Sequence, residues 1–363
     1  MSDYPHTLHL NKGDLALPAY LPDATFAQVR ALDAQDLRDC QVKAVMMNTF
    51  HLMSRPGSST IKSLGGLHAM SGWDGPIFAD SGGFQAYSLI RQNPAAGRFS
   101  EDGLIYQPPG SARRILLTPE KCVQLQLAFG ADVLFCLDDC THVDDSEAEQ
   151  RLSVHRTIAW AKRCRKEFDT LSRGGKNPPP LLFAVVQGGD IPELRRECAA
   201  ALLEIGFDGY GYGGWPLDGE GALVEDSLLL TRELIPEKYV LHALGIGHPV
   251  NVARCTRLGY GIFDSAMPTR DARHGRLYRF KENTTSISGR SWLEYVYISD
   301  EKHRRSSQPV EPSCDCPVCA HVSLGYLRHL FKLGDCLYQR LATMHNLHFM
   351  ARLTESLRAE PHA

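Results

Sequence analysis

The chain has 363 residues, of which 43% are hydrophobic and 22% are charged, so a globular fold with a large apolar core is expected. Its formal net charge of −3 argues against a protein that coats nucleic acid over its whole surface, although it leaves room for a local basic face. The eleven cysteines do not resemble a secreted disulfide framework, and we find neither a signal peptide nor an apolar run near the ~20 residues of a membrane span, so we expect a cytoplasmic protein.

Short apolar runs recur along the chain and predict eight β-strands. These strands cover residues 19–21, 43–48, 76–80, 133–138, 181–187, 209–213, 239–244 and 261–264. Helical patterns lie between most of them. One helix begins with a Thr118 cap and a proline in its first turn, and two further helices are predicted over residues 146–168 and 193–205.

The predicted fold class is α/β, because apolar strands that alternate with helices are typical of a covered parallel sheet. Closure of eight such units into a TIM (β/α)8 barrel is the economical arrangement. An open doubly wound sheet is the alternative, but no Gly-x-Gly-x-x-Gly turn follows the first strand. Residues 89–117 interrupt the alternation and are interpreted as an inserted hairpin or lid.

Polar residues or glycines stand at or just beyond the carboxyl ends of several predicted strands. They are Asn48, Asp80, Asp138, Gln187, Gly213 and Asp264. In a barrel these strand ends converge on one mouth, where the active sites of this fold lie. A single aspartate could be a helix cap, but three on one rim predict a shared polar site.

The segment after the last strand combines a carboxylate with basic side chains. Asp264 is followed by three arginines at positions 270, 273 and 276, with His274 among them. An anion beside guanidinium groups suits a nucleophile that acts next to a phosphate-bearing polymer. The alternative interpretation is a strand that ends in a capping aspartate before a solvated basic loop.

A cysteine cluster near the C-terminus predicts a metal site. Cys314, Cys316 and Cys319 can present three thiolates to a tetrahedral ion. A redox pair is less favoured, since such motifs open a helix after the first strand of a βαβ unit. Five downstream residues are candidates for the fourth ligand: His321, His329, Cys336, His345 and His348. No glutamate that could activate water stands among the ligands, so the sequence predicts a structural Zn²⁺ ion.

In the identity and order of its motifs, the chain resembles the bacterial-type tRNA-guanine transglycosylases, or queuine tRNA-ribosyltransferases. These enzymes replace a guanine in tRNA with a 7-deazaguanine. The resemblance covers almost the whole chain. It rests on Asn48-Thr-Phe-His-Leu52, Arg55-Pro-Gly57, Leu64-Gly-Gly-Leu-His68, Gly72-Trp-Asp74, Asp80-Ser-Gly-Gly-Phe-Gln85, Asp138-Asp-Cys-Thr141, Val186-Gln-Gly188, Gly206-Phe-Asp-Gly209, Gly213-Gly214, Phe263-Asp264, Pro268-Thr-Arg270, the cysteine cluster and Met344-His-Asn346.

The resemblance implies a TIM barrel formed by residues 1–280 and the C-terminal helices to 363, with a zinc subdomain at about residues 281–350. It also implies a homodimer that modifies the wobble position of the anticodon in the queuosine pathway. Asp264 is the implied nucleophile, which attacks ribose C1′ and forms a covalent intermediate. Asp80 is the implied general acid and base.

Different surroundings are needed for these two roles. A carboxylate near arginines stays ionised, whereas one beside apolar Phe78 and Phe84 can have a raised pKa. The other residues that the resemblance implies bind the base (Asp138, Gln187, Gly213, Gly214, Phe84 and Leu244), the tRNA (Arg270 and Arg273) or zinc (Cys314, Cys316, Cys319 and His345).

The chain departs from the family pattern around the base pocket. Its segment 215–220, Trp-Pro-Leu-Asp-Gly-Glu, is one residue longer than the usual Leu-Ala-Val-Gly-Glu. Leu244 stands where methionine is common, and Met344 where a glutamate often precedes the zinc histidine. The first two differences leave the identity of the incoming base open. Two alternative functions are a non-catalytic partner subunit, which retention of both aspartates disfavours, and base exchange in DNA.

Overall fold

The computed structural model describes residues 4–107, 114–142, 144–173, 178–282, 284 and 286–360. Its strands are β1 Thr7–Leu8, β2 Leu15–Ala16, β3 Ala19–Pro22, β4 Val45–Asn48, β5 Ile77–Asp80, β6 Gly97–Ser100, β7 Gly103–Tyr106, β8 Ile115–Leu117, β9 Val133–Phe135, β10 Leu181–Val186, β11 Gly209–Tyr212, β12 Val240–Ala243, β13 Ile262–Ser265, β14 Arg276–Phe280 and β15 Leu293–Tyr297. Its helices are α1 Ala34–Asp39, α2 Thr49–Leu52, α3 Ser58–Ser63, α4 Leu67–Ser71, α5 Gly83–Gln92, α6 Pro119–Phe129, α7 Glu147–Ser172, α8 Pro192–Ile205, α9 Glu225–Leu234, α10 Pro249–Arg257, α11 Met267–Arg273, α12 Pro317–His321, α13 Leu324–Leu333 and α14 Cys336–Ala359.

Eight parallel strands form the central barrel, as the sequence predicted. Their order around the wall is β3, β13, β12, β11, β10, β9, β5 and β4. A parallel bridge between Asp23 and Met46 spans the remaining gap from β3 to β4, where the Ala24 amide donates to the Met46 carbonyl over 2.7 Å. With helices between the strands, the architecture is a TIM barrel rather than an open doubly wound sheet.

The observed strands agree with the predicted ones to within two residues, with β9 as the exception. This strand ends at Phe135, three residues before the predicted end at Asp138. Residues 136–138 leave the parallel ladder although the Cys136 amide still donates to the Phe183 carbonyl over 2.9 Å. Asp138 therefore lies just beyond the strand, at the mouth of the barrel.

Alternate residues of each strand face opposite sides of the barrel wall, because the side chains of a strand have a period of two. One set packs inside the barrel and includes Met46, Phe78, Val185 and Ile262. The other set packs against the surrounding helices. Each of these four residues is followed, two positions later in the sequence, by a polar residue. In the same order these are Asn48, Asp80, Gln187 and Asp264. The apolar interior therefore ends in a polar layer at the carboxyl end of the barrel.

The interruption at residues 89–117 contains a three-stranded antiparallel sheet of β6, β7 and β8, so the hairpin interpretation is confirmed. Trp160 on α7 anchors it by donating from its indole nitrogen to the Glu101 carbonyl over 2.9 Å. Residues 108–113 of this insertion lie outside the described residues. The sequence did not predict two further pairings, β1 with β2 and β14 with β15.

The C-terminal helix α14 contacts both the barrel and the cysteine cluster. It packs against β3, α10, α11 and α12. The predicted division into a barrel and a zinc subdomain stays a prediction. Among the described helices, none combines the length and the apolar character that crossing a membrane requires.

We predict that Gly209→Ala destabilises the barrel, because a Cβ at Gly209 would lie 2.3 Å from the ring of Phe183 inside it. Overpacking of this kind costs about 1–3 kcal/mol. Urea unfolding measures the loss, with Gly219→Ala as the matched control because that Cβ meets no atom within 4 Å. Equal stability of the two variants would contradict the packing described for the barrel interior.

Candidate active site at the barrel mouth

Three carboxyl groups meet at the mouth of the barrel. Asp80 ends β5, Asp264 lies near the end of β13, and Asp138 follows β9. The charges of Asp138 and Asp264 both contribute to raising the pKa of Asp80, so the three groups share one electrostatic environment. Asp80 and Asp264, the two aspartates expected to act together, therefore face the same mouth, although 184 positions separate them in the chain.

Asp80 is partly buried at the end of β5. Burial, followed by the negative charges of Asp138 and Asp264, raises its pKa to about 7. Asn48 Nδ2 donates to Asp80 Oδ2 over 2.8 Å. The sequence predicted a raised pKa from apolar neighbours alone; two carboxylates also contribute. A carboxyl group with this pKa can give and accept a proton near neutral pH.

Helix α5 begins at Gly83, shortly after Asp80. Gly82, the residue before the helix, has a left-handed conformation with φ of 87°. A Cβ at this position would lie 2.2 Å from the Cβ of Phe50. The glycine therefore permits a close approach of the turn to α2. The backbone of Gly82 and the side chain of Gln85 then hydrogen-bond Asp80, which partly offsets the rise of its pKa.

Asp138 and Gln187 form a buried pair of polar groups. Gln187 Nε2 donates to Asp138 Oδ2 over 2.7 Å, and Ser81 Oγ donates to Asp138 Oδ1 over 3.3 Å. Burial raises the pKa of Asp138 to about 6. Gln187 Oε1 is buried and has no hydrogen-bond partner among the described residues. Such an orphaned acceptor beside a carboxyl group is suited to a ligand that carries N–H donors.

Two glycines, Gly213 and Gly214, lie beside this pair, and each is needed for a different reason. A Cβ at Gly213 would lie 2.6 Å from the amide group of Gln187, so only glycine leaves room for the side chain there. Gly214 follows with φ of 95°. Arg195 fixes this segment by donating from Nη2 to the Gly213 carbonyl over 3.1 Å.

Asp264 is held by an imidazole and a backbone amide. His242 Nε2 lies 2.9 Å from Asp264 Oδ1, and the Gly245 amide donates to the same oxygen over 3.0 Å. Sequence reasoning expected nearby arginines to stabilise this carboxylate, but neither Arg270 nor Arg273 is among its direct partners. Both arginines lie on α11 rather than on the loop of the alternative interpretation.

The rim beside the carboxyl groups is aromatic. Phe84 is 38% exposed and lies 5.5 Å, centroid to centroid, from the ring of Trp215, which is 37% exposed. The His142 ring also lies near Trp215, 5.7 Å from it between centroids. Leu244 packs against the barrel interior. The extended segment after Gly214 thus places a tryptophan against the ring that was predicted to stack on a base.

Sequence reasoning missed His242, the side chain that contacts Asp264. The feature of the sequence that could have revealed it is a single polar ring inside the apolar run Val-Leu-His-Ala of β12. Period-two alternation places residue 242 on the same face as Val240, so the ring had to point into the barrel. The contact to Asp264 also depends on the register between β12 and β13, which pairs His242 with Ile262 and which the sequence does not specify.

The predicted metal ligands come together in a buried cluster of Cys314, Cys316, Cys319 and His345, whose donor atoms lie within 4.8 Å of one another. His345 Nδ1 lies 3.6 Å from Cys316 Sγ and 3.4 Å from Cys319 Sγ. Tetrahedral zinc with Zn–S bonds of about 2.3 Å and Zn–N bonds of about 2.0–2.1 Å would set these separations at about 3.6 Å. The donor set therefore fits zinc.

The second ring nitrogen of His345 lies 2.7 Å from the Tyr278 carbonyl, which orients the ring toward the cysteines. The other four candidates for the fourth ligand are not part of this cluster. His348 pairs with Asp315 over 2.7 Å, while the side chains of His321, His329 and Cys336 are exposed. His345 is thus the one of the five that the fold brings to the three cysteines.

Comparison with known proteins identifies one family over nearly the whole chain. The family profile described as queuine tRNA-ribosyltransferase matches residues 6–360. A queuine tRNA-ribosyltransferase of Aliivibrio salmonicida is 35% identical over 97% of this chain and 88% of its own length. That of Pseudoalteromonas translucida has the same identity and coverage. That of Actinobacillus pleuropneumoniae is 36% identical over 94% of this chain and 84% of its own length.

We predict that Asp80 titrates near neutral pH and that Asp138→Asn lowers the pKa of Asp80, because the substitution removes a negative charge that opposes ionisation. Site-resolved ¹³C NMR of labelled aspartate measures both values. Asp14→Asn is the control, since that carboxylate is exposed and pairs with His9 on the surface. An Asp80 that titrates near the ordinary value of about 4 would contradict the described burial.

We predict that Cys316→Ser and treatment with a chelator both lower the thermal stability of the protein, since a structural metal contributes its binding free energy to folding. Calorimetry measures the unfolding temperature, and elemental analysis measures the bound metal content. Cys336→Ser is the control because Cys336 is exposed and lies outside the cluster. A metal-free protein with an unchanged unfolding temperature would exclude a structural site.

Proposed function

The chain belongs to the queuine tRNA-ribosyltransferase family, and we propose that it replaces guanine at the wobble position of a tRNA anticodon with a 7-deazaguanine base. The meeting of Asp80 and Asp264 at the barrel mouth carries this proposal. Their surroundings differ, because two carboxyl groups raise the pKa of Asp80 and Asp264 accepts two hydrogen bonds at one oxygen. Carboxyl groups in unlike environments can divide acid–base and nucleophilic work.

In the first half of the proposed reaction, Asp264 attacks ribose C1′. The bond from C1′ to the guanine nitrogen breaks, and its electron pair leaves with the base. Asp80, in its protonated form, supplies the proton that neutralises the departing guanine. The product of this half-reaction is an ester between Asp264 and the ribose of the RNA.

In the second half, the same two residues act in reverse. Asp80, now ionised, accepts a proton from the incoming 7-deazaguanine as its nitrogen attacks C1′. The ester bond breaks, and its electron pair returns to the Asp264 carboxylate. A pKa of about 7 at Asp80 suits both halves, because neither protonation state is rare near neutral pH.

The buried pair beside Asp80 supports recognition of a guanine-like edge. Asp138 and the free Gln187 Oε1 can accept from ring and amino N–H groups, and the backbone at Gly213 and Gly214 can approach the base closely. Phe84 offers a ring for stacking at the entrance, and Leu244 an apolar contact deeper in the pocket. These contacts are proposed for both the departing and the incoming base.

The charge around α11 supports binding of the anticodon loop. Arg270 is exposed on this helix and Arg273 is half-buried. Burial, followed by the positive charge of Arg30, lowers the pKa of Arg273, which indicates a cluster of cations beside the mouth. Arg273 Nη1 has no hydrogen-bond partner among the described residues. Phosphate oxygens of RNA are suitable acceptors for such groups.

The cysteine cluster would hold one structural Zn²⁺ per chain through Cys314, Cys316, Cys319 and His345. We also propose that two copies pair through this region and act on tRNA in the cytoplasm. Helix α13, which follows the cluster, exposes Tyr326 and Leu333. Apolar side chains exposed on one helix are suitable for contact with a second chain.

One experiment with radiolabelled guanine distinguishes the proposed function from the two alternative functions. The proposed activity gives incorporation into unmodified tRNA and none into duplex DNA, whereas a DNA-modifying enzyme gives the reverse. A non-catalytic partner subunit labels neither nucleic acid. The retained carboxylates at positions 80 and 264 favour the first outcome.

We predict that Asp264→Asn abolishes the covalent adduct with tRNA, because a neutral amide oxygen is a poor nucleophile. Binding of tRNA should persist, since the substitution leaves the arginines of α11 in place. Denaturing electrophoresis measures the adduct, and a filter-binding assay measures the affinity. Asp74→Asn, which changes an exposed carboxylate paired with Arg38, is the control. Adduct formation by Asp264→Asn at the wild-type level would remove Asp264 from the mechanism.

A further inference from the structure

His242 occupies an unusual place for a titratable side chain. It lies on β12, is fully buried inside the barrel and contacts the edges or faces of two aromatic rings, Phe78 at 6.4 Å and Phe135 at 5.5 Å. Within the described part of the chain, its one polar contact is from Nε2 to Asp264 Oδ1 over 2.9 Å. The other nitrogen, Nδ1, is buried and has no hydrogen-bond partner among the described residues.

These contacts determine which nitrogen carries the proton. A proton on Nδ1 alone would leave the Nε2 lone pair facing a carboxylate oxygen, and two acceptors at hydrogen-bond distance repel each other. Nε2 therefore carries a proton and donates to Asp264 Oδ1.

Both hydrogen bonds that Asp264 accepts within the described residues go to the same oxygen. His242 and the Gly245 amide reach Oδ1 from different elements, one from the strand and one from the turn after it. Two donors at one oxygen restrict rotation of the carboxylate group. Oδ2 is thus left as the oxygen with a free lone pair and a fixed direction.

We propose that His242 is a positioning residue that fixes Asp264 so that Oδ2 is the attacking atom. This inference rests on the proposed function. His242 does not touch the sugar in this arrangement; it acts through Asp264. The tightly packed rings of Phe78 and Phe135 prevent the imidazole from turning away.

The test is the rate of adduct formation with unmodified tRNA in single-turnover experiments. We expect His242→Leu to lower this rate by about 100-fold, as misplacement of a reacting group by about 1 Å can do, with KM for tRNA unchanged. His242→Gln should recover much of the rate, since its side-chain amide can donate to Oδ1. The matched control is His68→Leu, which removes a second histidine–carboxylate contact, to Asp132 over 3.2 Å at the opposite end of the barrel.

Several outcomes would overturn the inference. If folded His242→Leu forms the adduct at the wild-type rate, a positioning role is excluded. The role is also excluded if the His68→Leu control, or folded His242→Gln, loses as much of the adduct-formation rate as His242→Leu does. ¹⁵N NMR of the histidine rings in the wild-type protein gives an independent measurement that needs no variant. A ring that carries a proton on Nε2 supports the inference, and a ring protonated on Nδ1 alone contradicts it. Absence of any adduct from wild-type protein would instead overturn the proposed function, and the NMR result would still decide the state of His242.

Discussion

The proposed site depends on the crowding of three carboxyl groups at the mouth of an apolar barrel. Parallel strands with a period of two place polar side chains directly above the apolar interior, so Asp80 and Asp264 share one mouth. Asp138 comes to the same place by leaving its strand early. Burial, together with the negative charges of Asp138 and Asp264, raises the pKa of Asp80 to about 7.

Hydrogen bonding then distinguishes groups that crowding alone would make similar. Asp138 is committed to Gln187 and Ser81, and Asp264 is held through one oxygen by His242 and Gly245. Asp80 accepts from Asn48 yet keeps its raised pKa. One carboxyl group is thereby suited to a ligand's polar edge, one to attack on carbon and one to proton transfer. In the proposed mechanism the same chemical group serves in three ways because its neighbours differ.

Much of this arrangement could be predicted from the sequence, because apolar runs that end in polar residues reveal both the strands and their rim. The cysteine spacing similarly indicated three metal ligands, and the resemblance to a known family indicated the fourth. The partner of Asp264 could not be predicted, since the contact of His242 depends on the register of β12 against β13. The same holds for the contact between Phe84 and Trp215, which depends on the path of a loop. Tertiary register and loop geometry are set by the whole chain rather than by local pattern.

The central claim is that Asp264 carries the ribose while Asp80 carries the proton. The most direct measurement is tandem mass spectrometry of the covalent protein–tRNA complex after nuclease and protease digestion. The account predicts a ribose-containing mass on Asp264 and an unmodified Asp80. A ribose on Asp80, on Asp138 or on any residue outside the barrel mouth would contradict it.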